Sequence, residues 1–295
     1  MEILNIHQLV KSYGKIKAVD GLNLSIREGS IFGLLGPNGS GKTTTLGTIL
    51  GILTQDSGTY TWFEGRFDHE NPRKYIGAIL ETPNFYPYLN AIDNLKIVSR
   101  IKDSSDENYD DLLKMVELYE RRMSKFKTYS LGMKQRLAIA ATLIGNPQVL
   151  IFDEPTNGLD PQGIAEVRGI LQKIARSGKT VIMASHILDE VEKICSHVAI
   201  LKKGKLLASG PIGAILSNDI FLELGSENMP LLKSILESIE GIKITADFET
   251  YFECSAPEQT DATLLNKQLL EQGITLNHLV SRRRKLEEEF LQITA

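Results

Sequence analysis

The sequence predicts an α/β fold: a mostly parallel sheet with helices on both faces, an antiparallel subsheet and an inserted helical lobe, then a smaller α+β unit. Three observations carry this. Compact apolar runs of strand length alternate with segments of helical spacing between Ile31 and Leu201. The helical stretch from about residue 85 to about 146 is too long for a single crossover. Beyond Pro211 the pattern runs β-α-β-β-α-β, the ferredoxin-like order. At about 150 residues per domain, the length predicts two domains, placed at 1–213 and 214–295.

Ile3, Ile6, Leu9 and Val10, then Ala18, Val19, Leu22, Leu24 and Ile26, alternate with polar residues around the turn Tyr13-Gly14-Lys15, as antiparallel strands do. Ile31–Leu35 reads as a strand buried on both faces. A glycine-rich loop follows, then helical spacing over Lys42–Leu53. The lobe holds three helical segments, Ala91–Val98, Tyr109–Leu118 and Gly132–Ile144. Val149–Phe152 and Val181–Ala184 read as buried strands. Val198–Leu201 and Lys205–Ser209 read as a hairpin turning at Lys203-Gly204. In the smaller unit, strands are expected at Ile220–Leu224, Ile242–Ala246, Tyr251–Ser255 and Ile274–Val280. Helices are expected at Met229–Ile239, Thr260–Gln272 and Lys285–Ile293, with Ser281–Lys285 as the charged start of the last.

Composition excludes several classes. Hydrophobic residues make up 42% and charged residues 24%, so the chain is neither disordered nor a disulfide scaffold. The balance of 33 basic against 37 acidic residues offers no field for bulk nucleic-acid binding, and no nucleic-acid partner is expected. Two cysteines, Cys195 and Cys254, are expected as free thiols in a reducing compartment. No apolar run approaches the roughly 18–20 residues of a membrane span, and Met1-Glu2-Ile3-Leu4 lacks a signal-peptide layout. A soluble, cytoplasmic chain is the expectation.

Gly36-Pro37-Asn38-Gly39-Ser40-Gly41-Lys42-Thr43 fits G-x-x-x-x-G-K-[ST], with a buried strand before it and a helix after it. Glycines let backbone N–H groups turn inward around phosphate oxygens, and the helix N-terminus adds its dipole. Lys42 supplies a cation for the β and γ phosphates, and Thr43 a hydroxyl for Mg²⁺. Downstream, Val149–Phe152 closes on Asp153 and Glu154. Asp153 suits a water-mediated Mg²⁺ contact. Glu154 suits orienting or deprotonating an attacking water, because phosphoryl transfer depends on positioning and charge balance. The pair predicts a nucleoside triphosphatase. Guanine specificity is disfavoured, since the only Asn-Lys, Asn266-Lys267, continues with Gln268-Leu269.

Tyr129-Ser130-Leu131-Gly132-Met133-Lys134-Gln135-Arg136 opens a helical segment and resembles the Leu-Ser-Gly-Gly-Gln signature of ABC ATPases, with Leu131 and Met133 departing from it. Asn157-Gly158-Leu159-Asp160 resembles that family's D-loop, Ser185-His186 its switch histidine, and Tyr13 its adenine-stacking aromatic. The order and spacing agree from residue 1 to about 213. The resemblance implies an ABC-type P-loop NTPase that binds ATP with Tyr13 and the Gly36–Thr44 segment, Thr44 included. It implies a second ATP-binding subunit, in a homodimer, whose Ser130, Gly132 and Asp160 reach the same ATP in trans, while His186 contacts the γ-phosphate in cis. It also implies separate membrane-spanning permease subunits, export, and a peripheral position on the cytoplasmic face of the membrane. A soluble remodelling ATPase is the alternative; a single ATPase unit without long heptads disfavours it.

One departure stands where the family has a magnesium-sensing glutamine. Ile76–Leu80 leads into Glu81, which can ligate a magnesium-bound water but brings a negative charge and lacks the amide donor. Glu81, Pro83-Asn84-Phe85-Tyr86-Pro87 and Ser-Leu-Gly-Met together resemble exporters that protect their hosts from bacitracin or lantibiotics.

Overall fold

The computed structural model describes every residue except 68–70, 81–82, 105–107, 216–219, 284–285 and 295. The chain divides into two compact units, Met1–Ile212 and Gly213–Ile293.

The first unit opens with β1 (Glu2–Tyr13), β2 (Ile16–Arg27) and β3 (Ile31–Leu35), then α1 (Lys42–Ile49), β4 (Ser57–Trp62) and β5 (Ile76–Ile79). Three lobe helices follow: α2 (Ala91–Ile101), α3 (Tyr109–Met115) and α4 (Leu131–Leu143). The unit closes with β6 (Val149–Asp153), α5 (Pro161–Arg176), β7 (Thr180–Ser185), α6 (Leu188–Ile194), β8 (His197–Lys202) and β9 (Lys205–Pro211), and the short α7 (Ile212–Ile215) spans the boundary between the two units.

Six strands form one sheet in the order β5-β6-β7-β3-β8-β9, parallel except for the terminal β8–β9 hairpin. A second sheet, β2-β1-β4, is antiparallel. In β1 the inward residues Leu4 and Ile6 give way to Leu9, out of period with them. The structure gives the reason: Gln8, at φ 48°, sits in a register shift that returns Leu9 to the core. Helix α1 has Leu46 and Ile49 buried in a core that includes Leu4, Leu22 and Ile26 of the antiparallel sheet and Leu34, Ile151 and Ile182 of the parallel one. β6 and β7 are buried along their whole length, as apolar runs in a covered parallel sheet must be.

Two helices end earlier than their apolar spacing predicts. α1 stops because Gly51 takes φ 63° and the Gly51 and Ile52 N–H groups close back on Thr48 and Gly47 carbonyls. α3 stops at Met115 where Glu117 takes φ 58° and Leu118 N–H donates to Leu113 O. In the lobe, the Lys102 ammonium, at the end of α2, donates to the Thr142 and Ile144 carbonyls at 3.2 and 2.9 Å and so caps the end of α4.

The second unit carries β10 (Ile220–Ser226), α8 (Met229–Ser238), β11 (Lys243–Asp247), β12 (Phe252–Ala256), α9 (Ala262–Glu271), β13 (Leu276–Arg283) and α10 (Leu286–Thr294). Its sheet order is β11-β12-β10-β13, antiparallel throughout, which is the ferredoxin-like arrangement. It has its own core, with Leu222, Leu224, Leu232, Leu236, Phe252 and Leu269 packed together. The basic cluster departs from its reading as a helix start. Arg282 is on β13, and its guanidinium reaches Glu223, Glu253 and Glu288 at 3.4, 2.8 and 2.7 Å. Strand pairing with β10 carries this segment through Arg283.

Both cysteines are free and buried. Burial pushes each thiol up from its ordinary range to about 12, with the Glu253 charge adding to the effect at Cys254. A thiolate is the reactive form. At pH 8 the native protein is expected to react negligibly with Ellman's reagent and to release two equivalents once unfolded in guanidinium. A rapid native equivalent would show that one of these sites opens.

Candidate functional site

The loop between β3 and α1 is shaped by what its neighbours leave room for. A Cβ on Gly36 would lie 2.3 Å from Ser40 Oγ and 2.4 Å from the Leu201 carbonyl oxygen. One on Gly41 would lie 2.2 Å from the Ala18 carbonyl oxygen, and Gly41 sits at φ 107°, where side chains are strained. Gly41 occupies the N-cap position of α1. The N-cap side chain that helices ordinarily use is therefore missing, and the helix presents backbone. Ser40 is 2% exposed, and its Oγ has no hydrogen-bond partner among the described residues. A buried hydroxyl without a partner is costly and suits a ligand with acceptor oxygens.

Lys42, 6% exposed, folds back over this loop. Its Nζ donates to the Gly36 carbonyl at 2.8 Å and reaches Pro37 O at 3.4 Å. It also lies 3.5 Å from Glu154 Oε1. Glu154 follows β6 directly, with φ 51° and its N–H donating to the Ala184 carbonyl at the end of β7. A non-glycine residue held in the left-handed region is strained, and such strain clusters at functional sites. Its other carboxylate oxygen is 2.8 Å from His186 Nδ1 and 3.4 Å from the His186 N–H. Asp153, the last residue of β6, is 9% exposed beside them. Three adjacent strand ends thus deliver Lys42, Glu154 and His186 into one contact chain, because β3, β6 and β7 run parallel and finish at the same edge.

The remaining predicted residues lie outside this contact chain, some of them within the same loop. Thr43 is exposed on α1, and the Thr44 carbonyl accepts from Thr48 Oγ1 at 2.7 Å. Pro37, Asn38 and Gly39 form the loop's turn, closed by Ser40 N–H on Pro37 O. Tyr13 ends β1, half exposed, with the Lys11 ammonium 5.6 Å from its ring centroid. Asp56 anchors that arrangement by accepting from Ser12 N–H at 2.6 Å and Lys11 at 3.4 Å. The Ser12 N–H, followed by Lys11, holds the Asp56 carboxyl below its ordinary range.

Ser130, Gly132 and Asp160 form a separate group. They line a depression of about 450 Å³ together with Arg136, Gly158 and Glu166. Ser130 Oγ caps α4 by accepting from Met133 N–H at 3.3 Å, and Asp160 Oδ1 caps α5 by accepting from Gly163 N–H at 2.9 Å. Behind them Arg136 reaches Glu166 at 3.5 Å and the Glu117 carbonyl at 3.2 Å. Sequence reading missed this arginine as a support of the α4 start; its place three residues after Met133, one turn along the same helix, was the available signal. Glu81 lies outside the described residues.

A phosphate loop, a strand-end carboxylate and a histidine just after the neighbouring strand, all on one parallel sheet, define a P-loop nucleotide-binding protein. The comparisons narrow the class. The ABC transporter family profile matches residues 19–157. Among curated proteins, the chain is 36% identical to the uncharacterized ABC transporter ATP-binding protein YdbJ of Bacillus subtilis, over 99% of this chain and 95% of that protein. It is 35% identical to the bacitracin transport ATP-binding protein BcrA of Bacillus licheniformis, over 99% and 97%. Among solved structures, it resembles the dimeric, post-hydrolysis structure of an ATP-binding cassette bound to ADP and Pi, with a TM-score of 0.62 and 27% identity over 71% of this chain and 98% of that one. The chain belongs to the ATP-binding proteins of ABC transporters.

Proposed function

We propose that this chain binds and hydrolyses ATP as the motor subunit of an exporter of the bacitracin or lantibiotic type. Two copies would close over nucleotide, and separate membrane-spanning subunits would carry the substrate. The observation that carries the ATPase reading is the contact chain Lys42–Glu154–His186 at the mouth of the phosphate loop. It sets a cation for the phosphates beside a carboxylate for the attacking water. Phosphoryl transfer needs little more from the protein than that positioning and charge compensation.

The residues present suit Mg²⁺. Among the described residues no cluster of three His, Cys, Asp or Glu could hold a metal alone, whereas Mg²⁺ keeps several waters and takes few protein oxygens. Thr43 and Asp153 would hold it, Glu81 would add a contact through water, and the ion would neutralise charge on the phosphates. Glu154 would accept a proton from, or orient, the attacking water, and His186 would steady that carboxylate and face the γ-phosphate. Tyr13, half exposed at the end of β1, would offer its ring to adenine.

The in-trans assignment rests on the depression at Ser130, Gly132 and Asp160. These residues lie at the capped N-termini of α4 and α5, where backbone N–H groups favour an anion. The dimeric cassette with ADP and Pi supports pairing of two such units. The bacitracin transport protein, similar over nearly its whole length, supports a transport role, and a Nod factor export ATP-binding protein, 33% identical over 99% of this chain, supports its direction. Among the described residues no helix is long and apolar enough to cross a membrane. Other chains would carry out translocation, with this one on the cytoplasmic face of the membrane, a reading that the similarity to transport ATP-binding proteins supports.

The test is co-expression of the tagged chain with candidate multi-span membrane proteins encoded in its gene neighbourhood; the absence of any such protein there would itself count against the reading. Co-purification from detergent-solubilised membranes, with turnover stimulated in the complex, is the expected result. Recovery of an active ATPase bound instead to ribosomes or DNA would replace export with a remodelling role.

A further inference from the structure

The β8–β9 turn does more than reverse the chain. Lys203 and Gly204 have φ 50° and 79°, both positive, as a two-residue type I′ hairpin turn requires. Yet the Gly204 N–H donates to the Ser40 carbonyl of the phosphate loop at 2.9 Å. Its own carbonyl accepts from Asp20 N–H of β2, also at 2.9 Å. One residue thereby bonds the loop on one side and the antiparallel sheet on the other.

Crowding reinforces the bonding. A Cβ on Gly204 would lie 2.9 Å from the Lys17 carbonyl oxygen and 3.0 Å from that of Ala18. The same Ala18 carbonyl blocks a side chain at Gly41, and the hypothetical Gly41 Cβ is 3.5 Å from Gly204 Cα. On the other flank the Leu201 carbonyl, near the end of β8, presses on Gly36. Lys205, just past the turn, and Lys17 both pair with Asp20, at 3.6 and 3.0 Å. The phosphate loop is clasped between the β2 backbone and this hairpin.

We infer that the Lys203–Gly204 turn is a positioning element of the nucleotide site, with Gly204 holding the phosphate loop in its binding shape through the Ser40 carbonyl. The inference rests on the phosphate loop being the ATP site proposed above. Gly204 touches no reacting group on this reading; it lowers the cost of arranging the loop before nucleotide arrives.

Gly204→Ala tests it, with Gly178→Ala as its control. Gly178 has φ 90° and nothing within 4 Å of its hypothetical Cβ, so its substitution brings the backbone strain without the crowding. Gly204→Ala is expected to raise the ATP Kd and KM about tenfold, because the loop's binding shape must then be arranged at the expense of binding, with kcat at saturation nearly unchanged. Gly178→Ala is expected to lower thermal stability while leaving both constants alone. If Gly204→Ala fails to fold, inserting one glycine between Lys203 and Gly204 shifts the turn without adding a Cβ, and the same rise in KM is expected. Unchanged ATP affinity in a folded Gly204 variant or in the insertion, or an equal loss in Gly178→Ala, overturns the inference. Failure of the wild-type chain to bind a fluorescent ATP analogue would instead remove the proposed ATP site itself.

Discussion

Glu154→Gln is expected to lower steady-state ATP turnover by about two to four orders of magnitude, the range for loss of a positioned general base, while leaving ATP bound. The geometry sets the expectation. The amide keeps the volume of the side chain and one acceptor for His186, which now lies 2.8 Å from the carboxylate. It removes the negative charge 3.5 Å from Lys42 Nζ, which otherwise competes with phosphate for the same ammonium. Binding should therefore persist, and the ATP-bound pair of subunits should accumulate because the step that separates it is blocked. Phosphate release under excess ATP, together with size-exclusion chromatography in ATP and Mg²⁺, measures both. Full turnover in the variant would take the water-activating role away from Glu154.

Lys42→Ala is expected to weaken ATP binding roughly 10- to 150-fold, corresponding to about 1.5–3 kcal/mol for a hydrogen bond to a charged group, and to abolish turnover. The loss has two parts. The phosphates lose their cation, and the loop loses the tie from Nζ to the Gly36 and Pro37 carbonyls. Lys42→Arg should not rescue it, because a planar guanidinium does not fit where a compact ammonium turns back over two carbonyls. Titration with a fluorescent ATP analogue checks the affinity, and circular dichroism checks that the fold is kept. Wild-type affinity in Lys42→Ala would refute the phosphate-binding role.

Much of this site was legible in the sequence because its parts are local. The eight residues from Gly36 to Thr43 and the run into Asp153 and Glu154 each carry a turn or a strand end in consecutive positions. The buried strands were legible for the same reason, as unbroken apolar runs. What escaped was either amphipathic or distant. Helix α5 went unread although Asp160 and Pro161 give it an N-cap and an N1 proline, and Val167, Ile170, Leu171 and Ile174 keep helical spacing. Asp160 in Asn157-Gly158-Leu159-Asp160 reads as a nucleotide contact, and the same residue caps α5 by accepting from Gly163 N–H, a role the motif does not signal. Strand β4 shows only Trp62 fully buried, so it offered little apolar pattern to find. The bond from Gly204 to Ser40 joins residues far apart in the chain, and no spacing rule announces it.

The strand order has a consequence for how the protein is made. The strand that carries the phosphate loop, β3, pairs Ile31 with Val181 and Phe32 with His197. Its neighbours on both sides are therefore synthesised long after it. Non-local pairing of this kind is slow and exposes apolar strand edges in the interval. During translation β3 waits unpaired until β7 and β8 have left the ribosome, and the loop lacks its Gly204 clasp until the hairpin follows. A nascent chain cut short before residue 204 therefore lacks the complete clasp around its phosphate loop, because the Gly204 N–H that bonds the Ser40 carbonyl has not yet been made.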